Sequence, residues 1–179
     1  MGMVAATFSL TRQLIQHGPY DLVVQGGVAG AVSEGIELGD LLRVNCEYLI
    51  DLGAENRDGA TLLPPEFGFP FAFPHREDGA IPIRSDAISP DVRGVTGGTV
   101  VRSSGSRSTI ERLRRQYPRV EVESMEGAAL AYVCRSLDQP AIQMRAVSNR
   151  VTERDRAQWK LQEAISVLGS GLSDLLDSL

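Results

Sequence analysis

The segment Val122-Glu-Ser-Met-Glu-Gly-Ala-Ala129 carries two carboxylates, Glu123 and Glu126, at a pattern that changes from strand to helix. A helix dipole favours a carboxylate at that point. Once ionised, a carboxylate only accepts hydrogen bonds, so it can hold two hydroxyl donors such as a vicinal diol. Simple compensation of the helix charge would also explain both residues. A second segment, Met144-Arg-Ala-Val-Ser-Asn149, ends an apolar run with Arg145, Ser148 and Asn149. Arg145 is either a site cation or half of a structural ion pair. Ser148 and Asn149 either meet a ligand or finish a turn. A third segment, Gly26-Gly-Val-Ala-Gly30 and on to Ala31, reads as a small-residue turn. Backbone N–H groups could approach a polar ligand there, although packing alone would account for the glycines. It holds neither G-x-G-x-x-G nor G-x-x-x-x-G-K-[ST], so no standard nucleotide-phosphate loop is signalled.

These segments need elements to place them. Val4–His17 has the spacing of a helix, with Ala5, Phe8, Leu10, Leu14 and Ile15 on a broad apolar face and Gly18-Pro19 as its stop. Asp21–Gln25 reads as a short buried strand and Asp40–Ile50 as a longer one. Residues 53–91 hold six of the nine prolines, among them Pro90, and four phenylalanines, Phe67, Phe69, Phe71 and Phe73. This is a long irregular segment whose aromatics either cover a site or cap the core edge. Val92–Val101 is strand-like. Ser108-Thr-Ile-Glu111 matches a capping box opening a helix through Tyr117, with Pro118 after it. Then come a strand at Arg119–Glu123, a helix at Glu126–Leu137, a strand at Ala141–Ser148 and a terminal helix at Trp159–Leu179.

Strands alternating with helices predict an α/β fold, its sheet flanked by helices, in one domain over residues 1–179. Open sheets of this class bind ligands at the carboxyl ends of strands. Gly26–Ala31, Glu123–Glu126 and Ser148–Asp155 all fall at such ends. The opening helix has no strand before it, which leaves part of the sheet uncovered and an edge exposed.

Composition narrows the function classes. The chain has 179 residues, 42% hydrophobic and 23% charged, enough for a core without disulfide or metal staples. Its formal charge is −5 and its pI about 5.1, which argues against a nucleic-acid binder. Cys46 and Cys134 lie far apart in apolar runs, as buried thiols in a reducing compartment do. With only His17 and His75 as histidines, no metal site is expected. No membrane span and no signal peptide is legible.

The Ser124-Met-Glu-Gly-Ala128 motif, followed by Arg145-Ala-Val-Ser-Asn149, resembles the nucleoside phosphorylase and nucleosidase superfamily. Within it, Gly2-Met-Val-Ala-Ala6, Gly27-Val-Ala-Gly-Ala31, Tyr48–Glu55, Ser148-Asn-Arg-Val151, Arg154-Asp-Arg156 and Trp159-Lys160 look like the futalosine hydrolase family. The resemblance implies a nucleoside phosphorylase-like mixed sheet and cleavage of a purine N-ribosidic bond, with no cofactor. It implies that futalosine is hydrolysed to release hypoxanthine on an alternative route to menaquinone. The related activities it leaves open are methylthioadenosine/S-adenosylhomocysteine nucleosidase and purine nucleoside phosphorylase. An inactive nucleoside-binding protein is the rival from another class.

Residue by residue, the resemblance makes Glu126 the holder of the ribose diol, with Met125 against the sugar. It places Arg145 at the ribose and water region and Asn149 on the purine. Gly27, Val28, Ala29, Val100, Val101 and Ser148 complete the expected binding set. Val100 and Val101 stand where the superfamily contacts the purine, but its usual aromatic stacker has no counterpart there. Phosphate sites in the superfamily use an arginine and a serine around the small-residue turn. Val24-Gln-Gly-Gly-Val28 offers neither, so water is the expected nucleophile. The expected setting is cytoplasmic, as a homodimer or higher homo-oligomer, with no nucleic-acid or membrane partner. Relatives begin with a strand bearing an acidic residue that helps position the water. More than one βαβ unit of about 30 residues lacks a counterpart here, so the expected fold is N-terminally incomplete, with Met1 an internal methionine or the chain a fragment.

Overall fold

The computed structural model describes residues 2–57, 61–84, 92–153 and 155–179, with the backbone alone at 156. Met1, Pro90 and Arg154, named above, lie outside the described residues. So do residues 58–60 and 85–91 of the proline-rich segment.

Helix α1 (Met3–His17) comes first and sets Leu10 and Leu14 against Leu130, Val133 and Cys134. Strand β1 (Val23–Ala31) follows, then β2 (Leu41–Leu49). The proline-rich segment carries a small hairpin, β3 (Ala54–Glu55) with β4 (Thr61–Leu62), a 3-10 turn at Pro64–Phe67, and β5 (Ile81–Pro82). Next come β6 (Gly94–Thr99), α2 (Arg107–Gln116), β7 (Val122–Ser124), α3 (Gly127–Ser136), β8 (Ala141–Arg150) and α4 (Leu161–Asp177). The expected order of helices and strands is present. The α2 cap differs: Ser106, not Ser108, accepts from the Thr109 N–H, and Glu111 lies instead across one turn from Arg107.

The sheet is mixed and not open. β2, β6 and β7 run parallel to one another, β7 meets β1 antiparallel, β1 pairs β8 in parallel, and β8 returns antiparallel to β2. Five strands therefore close into a ring, and β5 adds to the outside of β2. Closure follows from β8, whose ten residues are long enough to pair β1 on one side and, through Gln143–Ala146, β2 on the other. Closure limits open edges, but β7 pairs β1 only at Gly30 and Ala31, so among the described residues 23–29 have β8 on one side and no strand partner on the other.

Gly26–Ala31 is a strand, not a turn. β1 runs unbroken from Val23 to Ala31 with β8 alongside for its whole length. Its glycines make room for neighbours. A β-carbon on Gly26 would lie 2.8 Å from Leu172 of α4, and one on Gly27 would collide with the Arg145 guanidinium.

The period-two alternation of strands separates the ring's inside from its outside. Inside lie Ala29, Ala31, Leu42, Val44, Val95, Val122 and Val147. In the same alternation stand Gln25, Glu47, Thr99, Gln143 and Arg145; hydrogen bonds join Thr99 and Gln143 to Glu47, and Arg145 to Gln25. Outside, Ile142 and Met144 meet Leu168, Leu172 and Leu175 of α4. Phe71 stacks on His75, which meets Tyr132 of α3, and so caps the core edge, whereas Phe67, Phe69 and Phe73 are exposed.

Candidate active site

A cavity of about 640 Å³ opens where the ends of β1, β7 and β8 meet the loop after β6 and the start of α4. Its wall includes Val28, Ala29, Val101, Met125, Glu126, Ser148 and Asn149, seven of the residues expected from sequence. Chain positions more than a hundred residues apart are brought together by the β1–β8 ladder and by the β7–α3 junction.

Glu126 is the N-cap residue of α3, yet its side chain makes no capping bond. Thr99 supplies that service: its hydroxyl accepts from the Ala128 N–H at 2.7 Å. The Glu126 carboxylate is thereby left to face the cavity, where its Oε1 accepts from the Gly2 N–H at 3.0 Å. The N-termini of two helices, α1 and α3, thus meet at one carboxylate.

Asn149 follows a bulge. β1 and β8 shift register between Ala29 and Gly30, so Ala29 faces Val147 but Gly30 faces Asn149, and Ser148 is the extra residue. Bulges re-aim side chains beside sites. The Asn149 amide donates to the Arg150 carbonyl at 3.1 Å and accepts from the Ser148 hydroxyl at 2.9 Å. One N–H and one lone pair remain for a ligand.

Three predicted residues are not on the wall. Val100 is buried in the core cluster with Ile50, Leu113 and Val120, because strand alternation turns it away while Val101 stays exposed at the rim. Gly27 serves as the gap that Arg145 fills. Arg145 lies inside the ring, 3% exposed, and donates to Gln25 Oε1 at 2.8 Å. Gln25 in turn reaches the Glu126 carbonyl at 3.5 Å. Burial lowers the Arg145 pKa, and the charges of Glu47 and Glu126 oppose that loss. Arg145 therefore supports Glu126 from behind, through Gln25 and through its charge.

Sequence reasoning missed several members of this region. Trp159 and Asp155 line the cavity between β8 and α4, so an aromatic does reach it, but from another element. The signal was a lone tryptophan just ahead of the terminal helix. Glu123, named from the sequence beside Glu126, also lines the wall. Glu47 is wholly buried behind α3, where it accepts from Gln143 at 2.8 Å and from Thr99 at 3.0 Å. Nothing in the pattern of Asp40–Ile50 marked it as interior.

Burial pushes the Glu47 carboxyl up to about 6 from its ordinary 4.5, against the pull of Arg145, Gln143 and Thr99. Between those two values the folded chain binds more protons than the unfolded one, so stability falls as pH rises through that window. The cost is complete above the folded value and amounts to about 2 kcal/mol. Glu47→Gln carries no such cost. Melting curves of both proteins between pH 4 and 8 should show wild type losing ground to the variant across that window. A constant gap would contradict this account.

Among the described residues, no group of three or more His, Cys, Asp or Glu could hold a metal, and no helix is long and apolar enough to cross a membrane.

The phosphorylase superfamily model matches residues 1–176. The chain belongs to the phosphorylase superfamily. It is 33% identical over 158 residues to the futalosine hydrolase of Streptomyces coelicolor, covering 88% of this chain and 66% of that protein. It thus spans just under two thirds of that relative's length. Among solved structures, the native futalosine hydrolase of Helicobacter pylori strain 26695 is similar with a TM-score of 0.80 at 21% identity, over 100% of this chain and 77% of the other. The Helicobacter pylori 5′-methylthioadenosine/S-adenosylhomocysteine nucleosidase has the same TM-score at 20% identity, with the same coverage. These two likenesses establish the superfamily fold, mixed sheet and flanking helices included.

Proposed function

We propose that this phosphorylase superfamily member is a nucleosidase that hydrolyses the N-ribosidic bond of futalosine and releases hypoxanthine. The observation that carries this reading is the cavity, where Glu126, Met125, Ser148 and Asn149 share one wall. The identity with the Streptomyces futalosine hydrolase supports the choice of substrate.

In this reading the bond from ribose C1′ to purine N9 breaks as an oxygen of water bonds to C1′. One of the water's protons stays on the new C1′ hydroxyl, and the other ends on the departing base. Glu126 holds the 2′- and 3′-hydroxyls, and Met125 packs on the sugar. Asn149 donates to the purine O6 and accepts from a protonated N7. Water rather than phosphate attacks, because Val24–Val28 brings no cation or hydroxyl to the sugar face. The protein acts in the cytoplasm as a homo-oligomer. In support, α1 leaves Val4, Phe8 and Ile15 exposed at helical spacing.

The test incubates the chain with futalosine, with and without phosphate, and follows the liberated base by chromatography. Phosphate-independent hypoxanthine release is expected. Strict phosphate dependence would favour a phosphorylase, and release only from methylthioadenosine would favour the adenine-specific nucleosidase. Asn149→Asp sharpens the result. An ionised aspartate would face the O6 of hypoxanthine with two acceptors, a repulsive pairing, while it could accept from adenine's amino group. The kcat/KM ratio of hypoxanthine- to adenine-bearing nucleosides should therefore shift towards adenine in the variant. An unmoved ratio in a folded variant would remove Asn149 from base reading.

A further inference from the structure

Glu123 is 7% exposed, and it lies in the wall of the same cavity. Its Oε1 accepts from the Ser104 N–H at 2.9 Å, on the loop after β6. Its Oε2 is buried with no hydrogen-bond partner among the described residues. A buried polar atom left unpaired is costly, and such atoms concentrate where a ligand completes the pairing.

Its place in the sheet gives it a direction. Gly30 of β1 is directly opposite Glu123 of β7 on one side and Asn149 of β8 on the other. Residues in register across neighbouring strands project from the same face. Glu123 and Asn149 therefore stand in one row, two strand spacings or about 10 Å apart at their α-carbons, with a glycine between them. A β-carbon at Gly30 would lie 3.0 Å from the Asn149 amide nitrogen, so that side chain leans over the glycine towards Glu123. A flat base whose N7 and O6 meet Asn149 carries N1 on the adjoining edge, next to O6, and can turn that edge towards Glu123.

We propose that Glu123 is a specificity-determining residue that accepts the N1–H of a 6-oxopurine leaving group. The inference rests on the nucleosidase reading and deepens it. In a 6-oxopurine N1 carries a hydrogen, whereas in adenine N1 is a bare acceptor. A carboxylate matches the first and repels the second. Burial raises the Glu123 pKa. The Ser104 hydrogen bonds draw it back down, and a bound N1–H favours the ionised form in the same way.

The orientation imposed by Ser104 makes the inference testable. In Glu123→Gln, the amide must turn its oxygen to the Ser104 N–H, so its NH₂ takes the place of Oε2. That NH₂ opposes N1–H of hypoxanthine but donates to N1 of adenine. Calorimetric titration of the full chain with the free bases hypoxanthine, 1-methylhypoxanthine and adenine reads this directly. Wild type should bind hypoxanthine at least about 10-fold more tightly than the other two. In the variant, hypoxanthine should weaken by about 10-fold or more while adenine tightens. The wild-type comparison with 1-methylhypoxanthine needs no variant to fold. Equal wild-type affinity for hypoxanthine and its 1-methyl derivative would overturn the inference and leave the nucleosidase reading standing. Equal weakening of all bases in Glu123→Gln would reduce Glu123 to a support for the Ser104 loop, which also overturns it. Failure of every base to bind, together with no turnover of futalosine, would remove both.

Discussion

Replacing Glu126 with alanine should weaken ribonucleoside binding by roughly 10- to 150-fold, the equivalent of about 1.5–3 kcal/mol for hydrogen bonds to a charged acceptor. The structure makes this carboxylate unusual among helix-start acids. Its capping duty is carried by Thr99, and the α1 N-terminus approaches it through Gly2. A glutamate kept only for helix charge would be expected to turn back on its own helix and cap it, and this one does not. The loss should fall on the sugar alone. Wild type should prefer ribonucleosides to their 2′-deoxy counterparts, and Glu126→Ala should bind the two alike. Free-base affinity should hardly change. A folded variant that keeps the ribose preference would take Glu126 out of the site.

The sequence announced the order of elements because helix and strand periodicities are local. It also brought the Ser-Met-Glu and Arg-Ala-Val-Ser-Asn segments to one place, since both end at strand termini. It could not announce closure of the ring, which depends on β8 pairing with β2 and β1 together. The glycines of β1 show the limit most clearly. Gly26, Gly27 and Gly30 have the composition of a turn, but their reason is the space claimed by Leu172, Arg145 and Asn149. Those claims come from residues more than a hundred positions away. Glu47 was silent for the same reason: a single glutamate among apolar neighbours looks like a solvent-facing strand position until the ring closes around it.

Arg145→Met should cost about 3–5 kcal/mol of stability, the usual penalty for removing one member of a buried ionic group. The methionine is long enough to fill much of the channel beside Gly27, so lost volume is a minor part of the effect. The larger part is electrostatic. Glu47 has no access to water, and its charge is offset by the Arg145 guanidinium and the hydrogen bonds from Gln143 and Thr99. Without the guanidinium, the folded protein must protonate Glu47 or unfold, so the penalty should be greatest at alkaline pH and shrink in acid. The remedy follows from the cause. Glu47→Gln removes the stranded charge, so the double variant should recover a large part of what Arg145→Met alone loses. Melting temperatures of the two single variants and the double variant form a cycle, and strong non-additivity is expected because the residues share one network. The recovered protein should still bind ribonucleosides poorly. Gln25 would have lost its partner at Nη2, and the Glu126 carboxylate would face the sugar without the positive charge behind it. Stability restored without binding would separate the packing role of this arginine from its support of Glu126. If the two single-variant costs simply add, Glu47 and Arg145 are not coupled, and the ring holds two independent polar residues rather than one charged scaffold beneath the site.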